Sequence, residues 1–184
     1  MMFRYKFLGL AIAIALIAAP VRIQAQQMGA MSDSDYIAKV MTGAPASVVK
    51  GATIVEMGKD GAVRTLQTGT NGFTCMMLDV TPGCADQNAM SWMHAIITHG
   101  APPNSVGFMY MLAGDSGASN TDPAATVQTA GNHWVKTGPH VMILGPSVKT
   151  MGYPMTADPD PSKPYVMWAD TPYAHIMIPV TVSP

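Results

Sequence analysis

Glutamate occurs once in this 184-residue chain, at Glu56, and charged residues of all kinds make up only 11% of it. Globular domains usually carry about a quarter, and long solvent-facing helices draw on Glu, Lys and Arg. A fold built mainly on such helices is therefore excluded. Basic residues are equally scarce, ten Lys and Arg in all, with no cluster among them. That argues against nucleic acid and against an anionic membrane surface as partners. Cysteine occurs twice, at Cys75 and Cys84, too few and too far apart for a Cys-x-x-Cys metal motif or a covalent haem site. No Gly-x-Ser-x-Gly elbow, phosphate loop or dinucleotide fingerprint occurs. Long apolar runs are also missing. Phe7 to Ala19 covers 13 residues, short of the ~20 that a membrane-spanning helix needs.

That short run has a meaning of its own. Arg4 and Lys6 precede it, Pro20 breaks it, and Ile23-Gln24-Ala25 follows as a small-residue cleavage signal. Basic end, apolar stretch and cleavage site form a secretory signal peptide over 1–25. The expectation is a single globular domain over 26–184, periplasmic or secreted, with no stable membrane span after cleavage. The mature chain keeps seven Lys and Arg against eleven Asp and Glu, a net charge of −4. In an oxidising compartment Cys75 and Cys84 are expected to form a disulfide. The Pro82-Gly83 step between them is read as the reversal of the enclosed loop.

What the chain has in quantity is glycine and proline, 17 and 15 residues, within a sequence that is still 48% hydrophobic. The first signals loops, and the second argues against disorder. Ser32-Asp33-Ser34-Asp35 supplies capping side chains ahead of Tyr36, Ile37, Val40 and Met41, a short helix that Gly43 and Pro45 end. Residues 52–57 and 62–67, rich in β-branched types and split by Asp60-Gly61, read as a hairpin. Phe73 to Leu78 reads as a third strand. Asp86 caps a helix through about Thr98, with Met90, Met93, Ile96 and Ile97 on its apolar side. Further strands are expected at 106–112, 140–144, 165–168 and 175–180. A long polar loop over 113–132 and a proline-rich segment over 153–164 separate them. The fold class that follows is α+β: a mainly antiparallel sheet with one or two short helices, loop-rich, with one disulfide.

Four stretches, Asn71-Gly-Phe-Thr-Cys75, Gly107-Phe-Met-Tyr-Met-Leu-Ala113, Gly131 to Ile143 and Lys163-Pro-Tyr-Val-Met-Trp168, resemble a group of small exported bacterial proteins of unassigned function. The resemblance covers most of the mature chain and implies no catalytic residue.

Methionine is the residue in conspicuous excess, 17 in the chain, and it stands beside histidine in a local echo. His140-Val-Met142-Ile143 repeats as His175-Ile-Met177-Ile178. In a strand, alternation places the His and Met of each pair on one face. If the two strands are neighbours, two imidazoles and two thioethers converge. That ligand set suits copper, Cu(I) above all. His94 and His133 are candidate additional ligands. The competing reading is that Met is a core filler and these are packed strand residues, since Leu144 shares the side of His140 and Met142. His94 and His99 stand about 140° apart around a helix and cannot share one small metal.

The remaining constellations are weaker. Gly114-Asp-Ser-Gly117 resembles the nucleophile segment of chymotrypsin-like proteases, but no Asp between His and Ser completes the triad in chain order, and a turn explains the run. An Asp beside His133 or His140 would give a general acid–base pair, the basis of an alternative reading as a small exported hydrolase. Asp122, Asp158, Asp160 and Asp170 are the carboxylates that could stand beside those histidines, but their segments are equally ordinary turn and cap sequences; as calcium ligands their spacing matches no EF-hand. Trp92, Trp134 and Trp168 with Tyr153, Tyr165 and Tyr173 either line a small-ligand pocket or anchor a loop-rich core. The leading expectation is a non-catalytic exported protein that binds a soft metal, copper, or a small ligand.

Overall fold

The computed structural model describes residues 31–58 and 61–182; the expected signal peptide lies outside them. Among the described residues, ten strands and three α-helices form in the order α1 (Asp33–Val40), α2 (Ala46–Val49), β1 (Thr53–Met57), β2 (Val63–Gln67), β3 (Phe73–Leu78), β4 (Thr81–Asp86), α3 (Gln87–Ile97), β5 (Gly107–Met111), β6 (Ala118–Ser119), β7 (Trp134–Val135), β8 (His140–Leu144), β9 (Tyr165–Met167) and β10 (His175–Pro179). Eight strands make one sheet in the order β2-β1-β3-β4-β5-β8-β10-β9, and β6 and β7 form a separate ribbon. All pairings are antiparallel except β1 with β3. The architecture is thus α+β and mainly antiparallel, with three short helices rather than one or two. The additional one, α2, is a single turn directly after Pro45, the residue that ends the first helical stretch in the sequence.

Both faces of the sheet are covered. On one, α1 and α2 pack Tyr36, Val40 and Val49 against Ile54 and the Cys75–Cys84 disulfide. The Tyr36 hydroxyl donates to Val55 O and accepts from Met77 N. It thereby ties β1 to β3 where the parallel ladder is short. At the far end of the same face, a 3-10 turn at Pro146–Thr150 lays Val148 over Val166 and Ile176. The opposite face carries Met109, Met111, Met142, Leu144, Tyr165, Met167 and Met177 beneath Ala89 and Trp92 of α3. The fully buried side of α3 therefore runs through Ala89, Trp92 and Ala95. Met90, Met93 and Ile96 flank it partly buried, and Ile97 is exposed.

The α3 helix is held close to the sheet by two sequence features. Asp86 accepts from Ala89 N to cap the helix and from Phe108 N to bind it to β5. Gly107 lies so near the helix start that a Cβ there would stand 2.5 Å from Ala89 N.

The Pro82-Gly83 reversal is corrected. The chain turns at Asp79-Val80, with Asp79 at φ 56°, and Pro82 and Gly83 lie inside β4, opposite Met77 and Met76. Cys75 and Cys84 face each other at a Cα separation of 4.0 Å, the spacing of a non-hydrogen-bonded antiparallel pair. Pro82, two residues away, falls at the same kind of position, so its missing N–H removes no bond to β3.

The long loops are ordered by their own bonds. Asn120 N donates to His133 O, and Trp168 N donates to Asn120 O. The Asn120 amide donates to Thr156 O and Ala157 O, and the Trp168 indole N–H donates to Ser119 O. One residue thus ties the 113–132 loop to the proline-rich segment and to the end of β9.

Candidate functional site

The methionine- and histidine-bearing strands β5, β8, β10 and β9 are consecutive neighbours, and their register fixes what stands beside what. Met111 opposes His140, and Met109 opposes Met142. Met142 in turn opposes Met177, while His175 opposes Leu144 on one side and Met167 on the other. Directly opposed residues share a face, so His140, Met142, His175 and Met177 all lie on the core face under α3. The strands are neighbours, but the imidazoles do not meet across them. The antiparallel register centres the two thioethers and leaves the histidines at opposite ends, four residues apart along the strand, about 14 Å between Cα positions.

Both rings are sealed from solvent, His140 at 0% and His175 at 1% exposure. Each is held in the same way. His140 Nδ1 donates to Gly138 O at 2.7 Å and His175 Nδ1 donates to Tyr173 O at 3.0 Å, the carbonyl two residues upstream in both cases. A carbonyl can only accept, so Nδ1 carries the proton and Nε2 keeps a free lone pair. Burial drives both histidines toward the neutral form. It lowers the pKa of His140, opposed by the Gly138 bond and the charge of Asp115, and it pulls His175 down to about 4. His140 Nε2 has no hydrogen-bond partner, and an orphaned buried acceptor costs about 1–3 kcal/mol.

The two ends differ in what surrounds them. Around His140 the environment is polar. Asp115, part-buried with its pKa raised by desolvation, accepts from Gly117 N and Thr137 N. The Thr137 and Tyr165 hydroxyls bond to one another at 2.8 Å, and burial raises the Tyr165 phenol to about 12. Around His175 the environment is aromatic. Its ring lies edgewise to Trp92 and Trp168, with centroids 5.1 and 4.8 Å away, and the two indoles stack on each other. Trp92, Trp168 and Tyr173 therefore pack around a histidine.

The other candidates are elsewhere. His94 is exposed on α3, away from the buried face of that helix. His133, 36% exposed, pairs with Asp158 at 2.8 Å, which is the orientation of a base by a carboxylate. Among the described residues no hydroxyl or thiol bonds to it. The Gly114–Gly117 run is a turn with Ser116 exposed. Its contribution is Asp115, which sequence reasoning passed over because the carboxylate reaches Thr137, 22 residues away. Among the described residues no three His, Cys, Asp or Glu side chains are placed to hold a metal, so an ion on the core face would need thioethers as donors. Met111 and Met167 escaped sequence reasoning as companions of the histidines, since strand order alone makes them neighbours.

Comparison with known proteins adds no further constraint: no family model, no curated protein and no solved structure matches the chain.

Proposed function

We propose that this is a non-catalytic, exported binding protein for a soft monovalent metal, Cu(I), held through His140 Nε2 with the thioethers of Met111 and Met142. The single observation that carries the reading is the buried His140 Nε2, a lone pair without a hydrogen-bond partner, on a residue whose cross-strand neighbour is Met111 and whose strand carries Met142 on the same face. A metal-ligating imidazole typically donates its other N–H to a carbonyl or carboxylate, and the Gly138 bond supplies that second contact. Imidazole and thioether are neutral and soft, which suits a monovalent soft ion better than Zn²⁺ or Mg²⁺. The Asp115 carboxylate lies close enough to act on the charge of His140 and would offset the cation. The described chain has no free cysteine, so thiolates do not compete for the metal. The hydrolase alternative has only the exposed His133–Asp158 pair in its support and lacks a nucleophile beside it.

The test is anaerobic Cu(I) competition against a chromogenic bicinchoninate-type chelator, using protein purified without chelating agents. The wild type is expected to withdraw Cu(I) from the probe, and His140→Ala to weaken binding by about tenfold or more. X-ray absorption should show nitrogen and sulfur neighbours together. A wild type that leaves the probe fully loaded, or a His140→Ala variant that binds equally well, sinks the reading.

A further inference from the structure

The His-x-Met echo is more than a repeated string. In the β8–β10 ladder Met142 opposes Met177, so a local two-fold axis normal to the sheet passes between them and carries β8 onto β10. That operation takes His140 to His175 and Met142 to Met177. It extends outward by one strand on each side. Met111 on β5 is the cross-strand partner of His140, and Met167 on β9 is the cross-strand partner of His175. The axis therefore relates Met111 to Met167. It also relates the two imidazole bonds, since each Nδ1 donates to the carbonyl two residues before it. All six side chains are buried, none more than 8% exposed. Where the symmetry fails, it fails at Met109 and Tyr165, which stand opposite Met142 and Met177 respectively.

From this correspondence we infer that the core face holds two symmetry-related soft-metal half-sites, His140 with Met111 and Met142, and His175 with Met167 and Met177, and that the protein takes up two Cu(I) ions. The inference rests on the soft-metal reading of His140 and extends it. Directly opposed side chains have Cβ atoms about 4.5–5.5 Å apart, within the span of one ion held by an imidazole and a thioether. The two histidines, about 13 Å apart along the strand direction with side chains standing roughly perpendicular to the sheet, cannot both ligate a single ion. Two ions is the stoichiometry that uses both. The second half-site has no carboxylate like Asp115 beside it. It has the indoles of Trp92 and Trp168 against the His175 ring, and an aromatic π system stabilises a nearby cation. The two ions are thus distinguishable, because only one of them sits against tryptophan.

The experiment is an anaerobic Cu(I) titration of the mature protein, with bound metal counted by atomic absorption after desalting and tryptophan emission followed in parallel. Two equivalents are expected, with emission changing for one of them. His175→Leu should retain one equivalent and lose the emission change, whereas His140→Leu should retain one equivalent and keep it. Met167→Leu conserves volume and leaves His175 and its bond to Tyr173 in place, so it serves if His175→Leu fails to fold. It should weaken the emission-linked equivalent by about tenfold and leave the other unchanged. One equivalent, lost in His140→Leu and indifferent to His175→Leu and Met167→Leu, overturns the second half-site while leaving the His140 reading standing. No retained copper overturns both.

Discussion

At the scale of the residue, the two buried histidines couple the stability of the metal-free protein to pH. His175 has a folded-state pKa near 4 against an ordinary value of about 6.5. A base whose pKa is depressed by folding binds fewer protons in the native than in the unfolded chain between those values. The stability it leaves intact is therefore full above about pH 6.5 and declines as pH falls toward 4, by about 3 kcal/mol for this group. His140 is shifted in the same direction and adds to the loss. Asp115, shifted upward by burial, acts with the opposite sign, favouring the folded state as it protonates above the usual Asp value, so it offsets part of the decline at the acidic end. The expected outcome is a thermal midpoint that drops steadily between pH 6.5 and 4. The slope should be clearly reduced in a His140→Leu, His175→Leu double variant, with differential scanning calorimetry as the measurement. Equal slopes in the two proteins would mean that the histidines are not the groups that titrate.

At the scale of the element, most strands were legible in the sequence. The β8 and β10 segments place Val and Ile between their His and Met positions, and the segments 52–57 and 62–67 pair as β1 and β2, with Asp60 of the connecting Asp60-Gly61 step outside the described residues. Asp86 likewise announced α3. β4 is not legible because Pro82-Gly83 carries a turn signal, and only its non-hydrogen-bonded position opposite Met77 makes proline acceptable there. The buried face of α3 is hidden in the sequence for a related reason. Ala89, Trp92 and Ala95 occupy the buried side, and Gly107 lets the helix approach closely at Ala89, whereas hydrophobicity alone points to the Met and Ile positions. Gly107→Ala should accordingly cost about 1–3 kcal/mol, since the intruding methyl meets backbone that cannot rotate away. Gly131→Ala, where a Cβ meets nothing within 4 Å, should stay within about 0.5 kcal/mol. Urea unfolding of the pair measures the contrast, and similar midpoints would contradict the close α3–β5 approach.

At the scale of the whole molecule, the site and the fold depend on one sheet order that no local pattern encodes. The echo of His-x-Met was visible in the sequence, but the neighbours of each histidine were not. β5 lies beside β8 across a long loop, and β9 lies beyond β10 at the sheet edge. The same order places the Cys75–Cys84 bond between two interior strands, on the face opposite the methionines, under α1 and α2. Reduction should then weaken the fold without dismantling the His and Met grid. Closing a loop of this length stabilises by about 2–3 kcal/mol, which for a domain of this size is a fall of about 5–10 °C in Tm. A Cys75→Ala, Cys84→Ala variant should melt lower by that amount and still take up Cu(I) as the disulfide form does. Parallel melting and Cu(I) competition on the two proteins check this. Loss of copper binding in a variant that remains folded would place the metal on the disulfide face and not among the core methionines.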